Sequence, residues 1–219
     1  MGDVDRDGRA DIVWRYEGAG ANQGLVYVWT MNGPTIGEAA PLLQVSDLNW
    51  RIVGIGDFDG DGFSDLFWWH QTTGQTYVWL LGPNTGQIGI KASGSPFTLT
   101  DLNWRVAGVG DYNGDGRADI VWRNIATGLN AIWMMNGVSI LSSGPVPTVT
   151  DQSWKIVGTG DYDGDGLSDL LWRNDSTGQN YLWRMNGLSI MPDCAICSPA
   201  STTGDIYTVS DTNWKVITK

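Results

Sequence analysis

Apolar residues in this chain come in short runs of three to seven, and nowhere do they recur at the spacing of a helical face. One kind of run mixes Val, Ile and Gly after an Asn-Trp-Arg or Asn-Trp-Lys start, as at Asn49-Trp50-Arg51, Asn103-Trp104-Arg105 and Asn213-Trp214-Lys215. Ser153-Trp154-Lys155 is a close variant. A second kind is a brief apolar stretch ending in Trp, at Ile12-Val13-Trp14, Leu66-Phe67-Trp68, Ile120-Val121-Trp122 and Leu170-Leu171-Trp172. A third also ends in Trp, at Tyr27-Val28-Trp29, Tyr77-Val78-Trp79, Ala131-Ile132-Trp133 and Tyr181-Leu182-Trp183. Between them stand turn formers: Thr73-Gly74, Thr127-Gly128 and Thr177-Gly178, then Asn32-Gly33, Asn136-Gly137 and Asn186-Gly187. Asn-Gly is the strongest short hairpin signal, because both residues tolerate positive φ. The pattern predicts short strands joined by tight turns, and no helix.

The runs repeat in a fixed order. An Asp-rich loop opens at Asp3, Asp57, Asp111 and Asp161, spaced 54, 54 and 50 residues apart. Twelve of the 13 Trp fall at three fixed places in the repeat, and only Trp69 is extra. A residue placed in every repeat first solves a packing problem that every repeat shares, so sheet packing is the leading reading of the Trp set. Four strands in about 50 residues match a blade of a β-propeller. The expected architecture is all-β, a β-propeller of four-stranded blades in one domain over 1–219. Its repeat units are 1–46, 47–100, 101–150 and 151–210. The segment 211–219 carries the first-strand motif that the first repeat lacks, and is expected to close the ring by completing the first blade, removing exposed edges. If four blades do not close alone, a homodimer is the expected alternative.

The loops are Asp3-Val4-Asp5-Arg6-Asp7-Gly8-Arg9-Ala10-Asp11, Asp57-Phe58-Asp59-Gly60-Asp61-Gly62-Phe63-Ser64-Asp65, Asp111-Tyr112-Asn113-Gly114-Asp115-Gly116-Arg117-Ala118-Asp119 and Asp161-Tyr162-Asp163-Gly164-Asp165-Gly166-Leu167-Ser168-Asp169. Oxygen side chains occupy positions 1, 3, 5 and 9, with Gly at 6. The first half of a calcium loop has this form, with the position-7 carbonyl as a further ligand, here that of Arg9, Phe63, Arg117 or Leu167. Calcium takes 6–8 hard oxygen ligands, and the loops offer no His or Cys for zinc or soft metals. Magnesium is the weaker candidate, because it demands a tighter octahedron and keeps waters. Turn formation alone does not explain three or four carboxylates within nine residues, four times over. Up to four Ca²⁺ ions are expected. The first and third sites should be the weaker ones, because Arg6 brings a positive group and Asn113 removes a negative one.

The motif Asp-x-Asp-x-Asp-Gly-x-x-Asp, set between Val-Gly-x-Gly and a short strand ending in Trp, resembles the FG-GAP/VCBS repeat of integrin α-subunit propellers and bacterial secreted proteins. The resemblance implies a propeller with calcium between the first two strands of each blade. It also implies an extracellular, cell-surface or periplasmic setting. The usual ring in that family has seven blades, whereas four repeats are present here. Relatives of this kind include sugar-binding lectins and adhesion modules, and the repeat itself does not choose between them.

The chain carries 24 acidic and 13 basic residues, a net charge of −11. The four loops hold 15 of the 24 acids, so the acidity is mostly a record of the loops and not a negative surface. Few Lys and Arg are available to neutralise phosphates, so nucleic acid is not an expected partner. No apolar run approaches the roughly 20 residues that span a bilayer, so no membrane insertion is expected. The polar start Met1-Gly2-Asp3 has no apolar h-region of a signal peptide, which reads as a trimmed or mature start, or a cytosolic one. Cys194 and Cys197 lie in the most variable segment, where a local disulfide leads, followed by free thiols, then a redox or metal pair. His70, the one His, reads as a turn cap. Asp47, Asp101, Asp151 and Asp211, with Arg15, Arg123 and Arg173, read first as turn caps and charge pairs on a solvated face. The other reading is a repeated polar and aromatic pocket for a sugar. Nearly every ionisable group is a repeated position or a loop residue, so no asymmetric catalytic set is expected. The leading expectation is a calcium-stabilised, non-catalytic recognition module for a glycan or another multivalent surface ligand. The alternatives are a structural or adhesion propeller with a protein partner, and a non-catalytic domain of a larger secreted enzyme.

Overall fold

A computed structural model describes residues 2–191 and 205–217. The described residues are all-β, with no helix among them. They fall into two compact units, one of Met1–Leu102 with Met135–Ile140, the other of Asn103–Met134 with Leu141–Lys219.

In the first unit, β1 (Ile12–Arg15), β2 (Leu25–Asn32) and β3 (Thr35–Gln44) form an antiparallel sheet in that order. Next come β4 (Trp50–Gly56), β5 (Asp65–His70), β6 (Thr76–Asn84) and β7 (Gln87–Gly94), a four-stranded antiparallel meander. The third repeat repeats that meander with β8 (Trp104–Gly110), β9 (Asp119–Asn124), β10 (Asn130–Asn136) and β11 (Ser139–Val146). In the fourth repeat, β12 (Trp154–Gly160), β13 (Asp169–Asn174) and β14 (Asn180–Trp183) are followed by a separate hairpin, β15 (Met185–Asn186) with β16 (Ser189–Ile190). The fourth strand of that sheet is the short β17 (Asp205–Ile206). Cys194 and Cys197 lie outside the described residues.

The second strand of the meander is the most buried. Every residue of β5 and of β9 is buried, which is why these segments read as continuous apolar runs without alternation. The pairing of the first two strands shifts register at one equivalent place in three repeats: Ile52/Gly54, Val106/Gly108 and Ile156/Gly158. That bulge accounts for the Val-Gly or Ala-Gly pair in each first strand. A methyl group on Gly108 would lie 2.2 Å from Thr159 Cγ2, so the approach of β8 to β12 requires glycine there.

The tryptophans pack in pairs within each sheet. Trp68 and Trp79 have ring centroids 4.7 Å apart, Trp122 and Trp133 4.8 Å, and Trp172 and Trp183 4.7 Å. Trp68 and Trp79 belong to the core that Val26, Val28, Leu66 and Leu81 complete. Trp172 and Trp183 belong to that of Val121, Ile132, Leu170 and Met185. Aromatic pairs at this spacing add to the area they bury, and the packing reading of the Trp set holds for these pairs.

The arginines that follow the second-strand Trp are clamps, Arg123 and Arg173 buried and Arg15 half-buried, not members of a solvated face. Arg123 is 4% exposed. It donates to the Val149 and Trp154 carbonyls, both at 3.1 Å, and its guanidinium lies 5.0 Å from the ring centre of Trp172. Arg15 makes the equivalent bonds to the carbonyls of Val45 and Trp50 and lies over Trp68. Arg173 does the same with the Val209 and Trp214 carbonyls. The physical reason is that each repeat start leaves carbonyls turned inward, and a guanidinium satisfies several at once. In the second repeat this position is Trp69.

The closing strand expected at 211–219 is not formed in its described part. Residues 211–217 make the Asp-capped turn, with Asn213 N–H on Asp211 Oδ1 at 3.0 Å, but no strand. The first sheet keeps three strands, and Trp14 on β1 remains 47% exposed. A strand exists only where a neighbouring edge supplies its hydrogen bonds, and none pairs with 211–217 among the described residues.

The clamp predicts a specific loss. Arg123→Met keeps the stem but orphans the carbonyls of Val149 and Trp154, and should destabilise the chain by about 2–4 kcal/mol. Urea unfolding would read this as a lower midpoint with an unchanged slope. A midpoint within experimental error of wild type would show that water replaces the guanidinium.

Candidate metal centres

Each Asp-rich loop is a tight coil held by its own carboxylates. Two residues in each loop take left-handed φ, at positions 4 and 6: Gly60 (78°) and Gly62 (93°), Gly114 (76°) and Gly116 (80°), Gly164 (82°) and Gly166 (87°). In the first loop Gly8 holds position 6 at 84°, but position 4 is Arg6 at 62°. A side chain in that region costs about 1–2 kcal/mol, so the first loop is the strained copy. The Arg6 side chain does not stay over its own loop. Its Nε lies 2.5 Å from where a Cβ on Gly62 would be, so the positive group expected beside the first site lies along the second loop.

Position 1 accepts the coil's amides. Asp57 takes Gly60 N–H and Gly62 N–H at 2.7 Å each, Asp111 takes Gly114 at 2.7 Å and Gly116 at 2.8 Å, and Asp161 takes Gly164 at 2.6 Å and Gly166 at 2.9 Å. Asp3 takes Gly8 N–H at 2.7 Å. The amides of Gly166 and Gly164 hold the Asp161 carboxyl below its ordinary range. Position 5 accepts the position-7 amide: Arg9 on Asp7 at 2.8 Å, Phe63 on Asp61 at 3.0 Å, and Arg117 on Asp115 and Leu167 on Asp165 at 2.9 Å each. The position-7 residues expected to lend a carbonyl therefore sit directly beside the position-5 carboxylate.

Position 9 is different in kind. Asp11, Asp65, Asp119 and Asp169 are all buried. Asp65 takes Phe58 N–H on one oxygen and Leu81 N–H on the other, both at 2.8 Å. Asp11 takes Val4 at 2.7 Å and Met31 at 2.8 Å, and Asp169 takes Tyr162 at 3.1 Å and Met185 at 3.0 Å. Asp119 takes Tyr112 at 3.1 Å. One carboxylate thus ties its loop to the residue two places after the third-run Trp, at Met31, Leu81 and Met185. Burial pushes Asp65 up to about 7 against the pull of the Leu81 and Phe58 amides, and burial also raises Asp169. A divalent cation beside such a carboxylate would reverse that shift.

Three loops bring carboxylate oxygens within 4.8 Å of one another: Asp3, Asp5 and Asp11; Asp57, Asp59 and Asp61; Asp161, Asp163 and Asp169. The third loop forms no such triad, and Asn113 turns its amide toward Asp115 at 3.3 Å. All the side-chain donors are oxygens, which fits the hard-oxygen preference of calcium and offers nothing to a soft metal.

The loops are also tied in twos, a feature the motif spacing does not reveal. Ser64 N–H binds the Asp3 carbonyl at 2.7 Å, and Ser168 N–H binds the Asp111 carbonyl at 2.6 Å. The signal for it was present: position 8 alternates Ala10, Ser64, Ala118, Ser168, and position 7 alternates Arg9, Phe63, Arg117, Leu167.

A second repeated feature is an aromatic cup. Val45, Trp50, Trp68, Tyr77 and Trp79 line a cavity of about 190 Å³, and Val149, Trp154, Trp172, Tyr181 and Trp183 line one of about 240 Å³. Arg15 and Arg123, considered as hydroxyl partners for a sugar, are engaged with backbone carbonyls at these places. Asp47 and Asp151 cap turns, on Asn49 N–H at 2.9 Å and Ser153 N–H at 2.8 Å. His70 caps one too, its Nδ1 accepting Thr73 N–H at 3.2 Å while Nε2 lies 3.0 Å from Asp47 Oδ2. Asn124 and Asn174 do the same work in later repeats.

The profile described as "FG-GAP-like repeat" matches residues 3–68 and 57–122, and that described as "FG-GAP repeat" matches residues 153–183. The chain belongs to the FG-GAP repeat family. No curated protein matches it.

Positions 5 and 9 should separate by experiment. Asp169→Ala removes the acceptor for two buried amides and should cost about 2–4 kcal/mol even in chelator. Asp165→Ala, which frees only the exposed Leu167 amide and the longer of the two Arg184 contacts, should cost under about 1 kcal/mol in chelator and act mainly through metal. Thermal unfolding of both variants with and without EDTA checks this, and equal losses in EDTA would refute the distinction.

Proposed function

We infer that this protein is a calcium-stabilised, non-catalytic recognition module built from propeller blades, working outside the cell, at its surface or in the periplasm. The observation that carries the calcium reading is the convergence of oxygen-only side chains in the three triads. Asp3, Asp5, Asp7 and Asp11 would hold the first ion, Asp57, Asp59, Asp61 and Asp65 the second. Asp111, Asn113, Asp115 and Asp119 would hold the third, Asp161, Asp163, Asp165 and Asp169 the fourth. The bound ion would supply fixed positive charge that offsets the mutual repulsion of the carboxylates. The third is the weakest site, having one charge fewer and no triad.

The ligand we propose is a glycan or another multivalent surface ligand. A sugar ring would stack in the aromatic cups, and several weak equivalent sites gain strength together. The family resemblance and the repeated use of the ionisable residues in structure support a binding role over catalysis.

Two measurements test the reading. Calcium present at about 100 times a site's dissociation constant adds about 2.7 kcal/mol per site. EDTA should therefore lower the melting temperature markedly, and calorimetry should show calcium uptake. No uptake and an unmoved melting temperature would end the calcium reading. A glycan array run in calcium tests the ligand, and silence across the array would leave a protein-partner module in its place.

A further inference from the structure

Every loop has one basic side chain resting on its carboxylates, and the four are of two kinds. In the first and third loops the base belongs to the loop itself: Arg9 on Asp7, and Arg117 on Asp115 at 3.4 Å. In the second and fourth loops position 7 is apolar and the base arrives from a distant segment. Lys91, on β7, places Nζ 2.8 Å from Asp59 Oδ2 and pairs also with Asp61. Arg184, just after β14, pairs through Nε with Asp163 and brings Nη2 to 3.7 Å from Asp165. Arg184 is the most enclosed of the four, its side chain 16% exposed, with Lys91 at 28%, Arg117 at 32% and Arg9 at 53%. The residues matching Arg184 in the first and third repeats, one after the third-run Trp, are the neutral Thr30 and Met134.

The carboxylates that Lys91 and Arg184 hold, at positions 3 and 5, are those a metal ion would need. Calcium sits 2.3–2.6 Å from its oxygens. An ammonium on the same oxygens would lie within about 5 Å of the ion, where two positive charges in a half-buried site repel strongly. We propose that Lys91 and Arg184 are tethered counter-ions that hold the second and fourth loops in the metal-free chain and that calcium must displace. The proposal rests on the calcium reading above. Each compact unit would then keep one loop whose position-3 and position-5 carboxylates are partly offset by a base from outside the loop, and that loop would bind calcium less tightly than its full set of carboxylates implies. The advantage expected of the second and fourth sites over the first and third shrinks for the same reason.

The test uses the full chain with Lys91→Met, Arg184→Met and, as a charge-keeping control, Lys91→Arg. Calcium binding is read by titration calorimetry and thermal unfolding is followed in EDTA and in saturating calcium. Lys91→Met and Arg184→Met should each tighten one site by about fivefold, the scale of a good solvent-accessible ion pair. Each should also lower the melting temperature in EDTA and regain it in calcium, whereas Lys91→Arg should stay near wild type. Arg9→Met, at an exposed pair, should move its site by less than about twofold. Unchanged or weaker calcium affinity in both Met variants overturns the proposal. So does a lowered melting temperature that calcium fails to restore, since that marks an ordinary structural ion pair. Wild-type chain that takes up no calcium would instead overturn the calcium reading, and the displacement with it.

Discussion

A buried carboxylate at the root of each loop is the constraint on which both the sheets and the Asp-rich loops depend. Asp65 shows the arrangement in full, with one oxygen on Phe58 N–H and the other on Leu81 N–H. An ionised group out of water is tolerable only when its lone pairs are met. Two amides meet part of that need, and they belong to the loop and to a strand that would otherwise have no fixed relation to it. Each oxygen of a carboxylate has further acceptor capacity, so the group can pin the backbone and face a cation together. Burial lifts Asp65 to about 7, which expresses how incompletely the amides alone offset desolvation. A nearby positive charge would complete the balance.

The same economy governs the rest of the molecule. The guanidinium of Arg123 and its counterparts gathers inward-facing carbonyls at the start of the following repeat, as the position-9 Asp gathers inward-facing amides. Donors and acceptors that the short strands leave unpaired are met by one charged side chain of each sign. Two members of the Trp pairs also cover the guanidinium groups, Trp68 under Arg15 and Trp172 under Arg123. Polar groups held this way contribute order more than net stability, because their desolvation offsets much of what their bonds supply.

Much of this was legible in the residues. The order of short apolar runs, Asn-Gly turns and Asp-rich loops predicted four-stranded repeats without helix, and the sheets β4–β7 and β8–β11 have that form. The spacing of the loop carboxylates was readable, and in three loops the fold brings three of them within 4.8 Å of one another. The role of Arg15, Arg123 and Arg173 was not, since a charge after a Trp in a strand looks the same whether it meets water or a carbonyl. The closing strand expected at 211–219 is not formed in residues 211–217, because a segment with strand composition forms a strand only where an edge supplies its hydrogen bonds.

By itself, then, the sequence determined what depends on local stereochemistry and element type: turns where Asn-Gly and Thr-Gly occur, left-handed glycines in the loops, and an all-oxygen set of side chains along them. Tertiary structure decided which charges face each other. Arg6 lies along Gly62 and not over its own loop, Lys91 reaches Asp59 from 32 residues away, and Ser64 ties the second loop to the first. These pairings depend on how strands are laid side by side, which sets distances between residues far apart in the chain. Composition carries the charges but not their partners, because the energy of a charge pair is a function of separation and burial, and both exist only once the sheets have packed.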